Sequence, residues 1–311
     1  MARIAVIGPG ALGCLFAGVL AAAGHDVGLV CRRAELAEQL AWEGVAVERE
    51  GVVRRARVWT CLAGQAVAPV EVVLVLVKSF DTESAAHAAA PLLGPDSVVV
   101  TLQNGLGNAE RLAGVLGTGR VLAGVTSQGA TLLSPGHVRH AGFGPSYVTE
   151  MEGGDGPRAR RLAQLLSAAG LPTESAADLS ALVWGKLVTN VAINPLTALT
   201  GLRNGQLLDS PHTASLVDEL AREAATVAQA LGVRLPFDDA AAYARRTAEL
   251  TRANRSSMLQ DVERQRRTEI DAISGVVVEL AERLGVPVPA NQVVYRLVKG
   301  VESRYFGPSA G

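Results

Sequence analysis

Lysine is nearly missing from this 311-residue chain: of 29 Lys and Arg residues only Lys78, Lys186 and Lys299 are lysine. A sequence that uses arginine for generic positive charge keeps lysine where arginine fails, which points to proton release near neutral pH. Cysteine is scarce too. Cys14, Cys31 and Cys61 are odd in number and form no C-x-x-C, which excludes a disulfide framework and a zinc knuckle and fits a reducing compartment. Excess charge of either sign is absent, with 29 basic residues against 30 acidic and a net charge of −1. That argues against a binder of nucleic-acid phosphates. No uninterrupted apolar run reaches the ~18 residues of a membrane span. The five histidines offer no metal site: His137 and His140 lie three apart on an expected strand with no third ligand nearby. No Ser/His/Asp arrangement or G-x-S-x-G elbow stands out.

What is present is core-forming material. Apolar residues make up 49% and charged residues 19%, too apolar for disorder, and at ~150 residues per domain the length fits two domains. Short β-branched runs at 3–7, 27–31, 70–77, 97–102 and 121–126 alternate with helical spacing at 11–23, 33–43, 82–93 and 108–116. The first, third and fourth runs are continuously apolar, as in strands buried on both faces of a parallel sheet. Residues 45–58 look like a polar hairpin. Ser134-Pro135-Gly136 marks a turn, and 137–141 and 146–150 are expected as antiparallel additions at the sheet edge. From about Asp178 strands disappear, and helices are predicted over 179–200, 211–231, 238–267 and 268–284, with a last stretch after Pro287 and Pro289. The expected organisation is a doubly wound α/β domain over 1–174 and an all-helical domain over 175–311. The apolar start mimics a secretory signal, but Gly8, Pro9, Gly10 and Gly13 would break its helix, so a cytoplasmic chain is expected. The arginine-rich runs 158–161 and 264–267 fit solvated helix faces, and no internal repeat is present.

Gly8-Pro9-Gly10-Ala11-Leu12-Gly13 matches G-x-G-x-x-G between a strand and a helix. The first glycine permits the tight turn, the second lets a pyrophosphate approach the backbone, and the third lets helix pack on strand. The helix N-terminus then offers N–H groups and positive dipole to the phosphates. At the end of the second strand Cys31-Arg32-Arg33 stands where an NAD enzyme keeps an acid, so Arg32 favours the 2′-phosphate of NADP. Ligands of such sheets bind outside the carboxyl ends of the strands, where Lys78 and Asn104 fall. In the apolar stretch 184–199, Lys186, Asn190 and Asn194 recur at i, i+4 and i+8. At ~100° per residue they drift only ~40° per step, so they share one stripe, which must face water, a partner or a ligand. Asn254, Ser257, Asp261, Gln265 and Glu269 would fall within an arc of roughly 120° if their helix were continuous.

Taken together, GPGALG, the strand-end Lys78, LQNGLG, KLVTNVAINPLTAL, Asn204-Gly205 and SSMLQDVERQRRTEID, in that order, resemble the ketopantoate reductase family over nearly the whole chain. The resemblance implies a Rossmann-type domain followed by a helical one, NADPH as cofactor, and reduction of ketopantoate to pantoate. It implies that Lys186 is the general acid and that Glu269 holds and orients the substrate. It also implies that Asn104, Asn190, Asn194, Asn204 and Ser257 line a cleft between the domains, with Lys78, Asn104 and Glu269 also reaching the cofactor. The partner is then a small 2-oxo acid, and a homodimer is open. Two alternatives stand: a related reductase of another 2-oxo acid, and a non-catalytic NADP-binding sensor, which would have no need of the Lys186 stripe or Glu269. Chemistry also favours Lys186 as the proton source, because no histidine falls in a suitable motif and arginine does not release its proton.

Overall fold

A computed structural model describes residues 1–306. Its contacts divide the chain into two compact units, one of Met1–Gln103 with Gly107–Leu179, the other of Asn104–Leu106 with the chain from Ser180 onward.

The first unit is α/β. Its strands are β1 (Arg3–Ile7), β2 (Asp26–Cys31), β3 (Val45–Arg49), β4 (Val52–Ala56), β5 (Trp59–Leu62), β6 (Val70–Val75), β7 (Leu93–Thr101), β8 (Val121–Ser134), β9 (His137–Glu150) and β10 (Thr173–Ser175). They form one sheet in the order β4-β3-β9-β8-β7-β6-β1-β2-β5, with β10 beside β9. Pairing is parallel from β8 through β5 and antiparallel at β8/β9 and β3/β4. The helices are α1 (Ala11–Ala22), α2 (Ala34–Glu43), α3 (Thr82–Ala89), α4 (Asn108–Leu116) and α5 (Pro157–Ala168). Alternate residues of the central strands serve opposite faces. Ile4, Val6, Val72 and Leu74 join Leu15 and Phe16 of α1 and Leu162 of α5 in one core. Ala5, Ile7, Val73 and Val75 join Ala86 of α3 and Leu112 of α4 in another. Continuous apolar strands are what a sheet covered on both faces requires.

Two expectations for this sheet need correction. The short strand 121–126 and the two edge pieces are instead one antiparallel pair of long strands, β8 and β9, turning at Gly136 with φ +71°. Glycines at 124, 129, 142 and 144 lower strand propensity and hide that continuity from the sequence. The sheet edge beyond β9 is the 45–58 hairpin, β3 pairing parallel with β9 and β4 lying outermost.

The second unit is helical. Its elements are α6 (Ser180–Thr200), α7 (Pro211–Ala230), α8 (Ala240–Leu250), α9 (Ser257–Glu263), α10 (Ser274–Leu284) and α11 (Pro289–Phe306). Val188, Val191 and Ala192 of α6 pack with Leu220, Ala221 and Ala224 of α7, Ala244 of α8, and Val294 and Val298 of α11. Fully buried alanines let these helices approach closely. The helices predicted over 238–267 and 268–284 are each interrupted. Residues 251–256 form a turn that gives backbone carbonyls to Asn204 and Gly205, and Gln265, at φ +51°, follows the end of α9. Only a short turn, Ile270–Ala272, precedes α10. The five-residue arc from Asn254 to Glu269 therefore does not exist as a helical face; helical spacing persists in the sequence where tertiary hydrogen bonds have broken the helix. No described helix is long and apolar enough to cross a membrane.

Candidate active site

The glycine turn follows β1. Gly8 has φ +107°, and a Cβ there would lie 2.9 Å from the Val77 amide nitrogen. A Cβ at Gly13 would overlap the Gly8 carbonyl oxygen, whereas one at Gly10 would meet nothing within 4 Å. Gly8 and Gly13 are thus required by the fold, whereas the space beside Gly10 is open. Gly10 precedes α1 and provides no side-chain cap, leaving the first N–H groups of the helix to water or a ligand. Pro9 accepts a weak bond from the Cys14 thiol, and Ala11 and Leu12 are half-buried at the helix start. An open backbone cradle on an uncapped helix N-terminus fits a dinucleotide pyrophosphate.

Arg32, at the end of β2, is largely exposed, and its Nη1 and Nη2 donate to the two oxygens of Asp81 at 2.9 and 3.0 Å. No acid stands beside Arg32 in the sequence; the fold supplies one from the turn Ser79–Asp81. Half-buried Lys78 opens that turn, its carbonyl accepting from the Asp81 amide at 2.8 Å. Gln103, polar at the end of β7, donates from Nε2 to the Val77 carbonyl and to Thr82 Oγ1, both at 2.9 Å, tying the segment after β6 to that after β7. No local spacing signals these pairs, because their members lie far apart in the sequence.

In the second unit, α6 presents Lys186, Asn190 and Asn194, the first two half-buried and the last buried. Burial pulls the Lys186 pKa down to about 8, against the opposing pull of the Glu269 carboxylate. Glu269 is buried in the link between α9 and α10, and Asn104 Nδ2 donates to its Oε2 at 3.5 Å. Asn104 follows β7 in sequence yet belongs to this unit. Its neighbour Gly105 has φ +85° and lies so close to Ala272 that a Cβ would overlap the Ala272 carbonyl oxygen. Leu106 packs on the helical core. Lys186, Glu269 and Asn104 are therefore brought together.

Ser257 is exposed at the start of α9. The preceding Ser256 caps that helix by accepting from the Leu259 amide, and its hydroxyl meets Thr197 Oγ1 of α6 at 2.7 Å. Thr197 in turn donates to the Asn194 carbonyl, so this chain of bonds ties the first turn of α9 to the Asn194 turn of α6. Ser256 and Thr197 lie inside the SSMLQDVERQRRTEID and KLVTNVAINPLTAL segments, and S-S-M before a helix is a legible cap. Asn204 is engaged elsewhere: its amide donates to the Asn254 carbonyl and its Nδ2 to Thr251 Oγ1, each at 3.0 Å.

Cys14, Cys31 and Cys61 are buried free thiols, and burial pushes Cys14 up to about 12 and Cys31 to about 11, far from a reactive thiolate. Among the described residues no group of three or more His, Cys, Asp and Glu is placed to hold a metal ion.

Residues 4–153 match the family model described as ketopantoate reductase PanE/ApbA, and residues 178–302 match its C-terminal part. The 2-dehydropantoate 2-reductase of Archaeoglobus fulgidus is 38% identical over 97% of this chain and 98% of its own length. That of Halobacterium salinarum is 36% identical over 96% of this chain and 98% of its own. The crystal structure of a PanE/ApbA family ketopantoate reductase from Ralstonia eutropha superposes with a TM-score of 0.90 at 36% identity, covering 98% of this chain and 99% of the other. The chain belongs to the ketopantoate reductase family.

Proposed function

We propose that this chain is an NADPH-dependent 2-dehydropantoate 2-reductase, converting ketopantoate to pantoate. The names of its relatives support the substrate. The observation that carries the chemistry is Lys186, a lysine with a pKa of about 8 acting beside a buried carboxylate. Residues 1–174 hold the dinucleotide, with Gly8–Gly13 around the pyrophosphate and Lys78 at the strand end. Arg32 meets the 2′-phosphate, since the Asp81 contact uses only part of its guanidinium donor set. The helical unit from Ser180 onward, with the Asn104 turn that belongs to it, holds the oxo acid.

When bound, the reduced nicotinamide supplies the hydride that adds to the C2 carbonyl carbon. Lys186 stands as the ammonium near the carbonyl oxygen, stabilises the negative charge developing there, and transfers a proton from Nζ to give the alcohol. The neutral amine then regains its proton from solvent. Glu269 accepts from a substrate hydroxyl or from Lys186 and keeps the lysine protonated near neutral pH. Asn104, Asn190, Asn194 and Ser257 supply amide and hydroxyl groups for the polar ends of the substrate.

The test is consumption of NADPH against a panel of 2-oxo acids, with NADH in parallel. Ketopantoate should give the highest kcat/KM, and Arg32→Asp should cost NADPH far more than NADH. Turnover of no 2-oxo acid would overturn the reading, and a better substrate in the panel would replace ketopantoate. Equal efficiency with both cofactors would remove NADPH preference.

A further inference from the structure

Glu269 lies outside regular helix, so helical geometry does not fix its position. The segment is held from α11 instead, on both flanks. On one side the Thr268 amide donates to Glu302 Oε1 at 2.6 Å. On the other, Asp271 accepts from the Tyr295 hydroxyl at 3.0 Å, from Lys299 Nζ at 3.1 Å and from Arg267 Nη2 at 3.2 Å. Lys299 Nζ also stands 3.3 Å from Glu302 Oε2. One ammonium thus joins the anchor before Glu269 to the anchor after it. Between them, the Glu269 carbonyl accepts the amides of Ala272 and Ile273 at 3.0 and 3.1 Å.

Tyr295, Lys299 and Glu302 recur at i, i+4 and i+7, one face of α11. Glu302 is buried, and a buried carboxylate persists only where hydrogen bonds and a counter-charge compensate its lost hydration. Lys299 itself is no proton donor. Burial pulls its pKa down, but Asp271 and Glu302 outweigh that and hold it above the usual lysine value.

We propose that Lys299, with Glu302 and Tyr295, forms a clamp that positions the Glu269 carboxylate for its action on Lys186. This rests on the roles proposed above for Lys186 and Glu269. Loosening the clamp lets Glu269 withdraw, and a misplacement on the order of 1 Å is costly in catalysis. Loss of that neighbouring charge also moves the deprotonation of Lys186, and with it the alkaline limb of kcat/KM, to lower pH. A residue that only supports the fold would not move that limb.

The experiment compares pH profiles of the intact enzyme with those of Lys299→Met, Glu269→Gln and the double variant, alongside Tm. Lys299→Met should lower kcat about tenfold and shift the limb in the direction given by Glu269→Gln, and the double variant should shift no further than Glu269→Gln alone. Lys299→Arg, which keeps a charge between the two carboxylates, should recover most of the rate. Should Lys299→Met fail to fold, Glu302→Gln reads the same clamp, because it keeps an acceptor for Thr268 but removes the charge that Lys299 bridges. A clamp variant with lowered Tm and an unmoved limb would overturn the proposal, as would additive shifts in the double variant. Failure of Glu269→Gln to move the limb would overturn the Lys186–Glu269 pairing, and the clamp's catalytic meaning with it.

Discussion

The glycine turn of the first unit and the Lys186 region of the second solve the same problem in opposite materials. The turn offers backbone: three glycines and an uncapped helix N-terminus, compressed into six contiguous residues. The Lys186 region offers side chains drawn from α6, from the Asn104 turn and from the link at Glu269, segments far apart in sequence. A backbone site is fixed by local sterics and needs little support. A side-chain site needs every contributing segment held in register, which is why buried hydrogen bonds such as Thr197–Ser256 and Thr268–Glu302 surround it.

The largest effect expected separates the two materials at once. Lys186→Ala should lower kcat by about 10²-fold or more, the usual range for a lost general acid, while leaving cofactor affinity nearly unchanged. Lys186→Arg should not restore the rate, since arginine keeps its proton. The pH dependence has a definite sign. If Lys186 is the donor, the protonated form is the active one, and with its pKa lowered to about 8 the activity should be present below that value and be lost as pH rises through it. A kcat/KM profile flat across that range, or a near-normal kcat in Lys186→Ala, would move the proton source elsewhere, with Lys78 next to test.

The next effect divides the glycine turn against itself. Gly13→Ala forces a methyl group onto the Gly8 carbonyl and should cost about 1–3 kcal/mol of stability as an overpacked contact. Gly10→Ala adds the same methyl group where nothing lies within 4 Å, so Tm should hold while the KM for NADPH rises. Thermal melts with kinetics on both variants check this. If Gly10→Ala left the cofactor KM unchanged, the turn would be purely structural.

How much of each region was legible follows from these materials. Gly8–Gly13 could be read complete because its glycines fall at fixed spacing within six contiguous residues, although the Val77 backbone that crowds Gly8 could not. Helix α4 and strand β1 match their predicted bounds for the same reason: apolar spacing decides them. The Lys186–Asn190–Asn194 stripe was visible as a polar line on an apolar helix. Glu269 was reached by resemblance to a family and by a helical arc that the structure dissolves, because backbone bonds from Asn204 and Gly205 capture the 251–256 turn. Helical spacing cannot report such capture. Asp81 and the partners of Gln103 stayed hidden because they are set by the order of strands in the sheet, which a linear pattern does not carry.

The smallest effect tests whether the ligand face of the first unit is backbone alone. Asp81 holds two arms of the Arg32 guanidinium, and a 2′-phosphate approaching Arg32 would meet that carboxylate as a like charge. The Arg32 side chain is 68% exposed, so the pair should contribute no more than ~1 kcal/mol to stability. Asp81→Asn should therefore leave Tm within a degree or two (roughly). Repulsion of the same order, once removed, should raise kcat/KM for NADPH by about fivefold at most and leave NADH unchanged. The gain should shrink as salt screens the exposed charges. The opposite sign is equally informative. If NADPH efficiency falls in Asp81→Asn, the carboxylate serves to hold Arg32 in a receiving geometry, and preorganisation outweighs repulsion. The first unit would then depend on a positioned side chain just as the second does, and the contrast between them would narrow to the glycine turn itself.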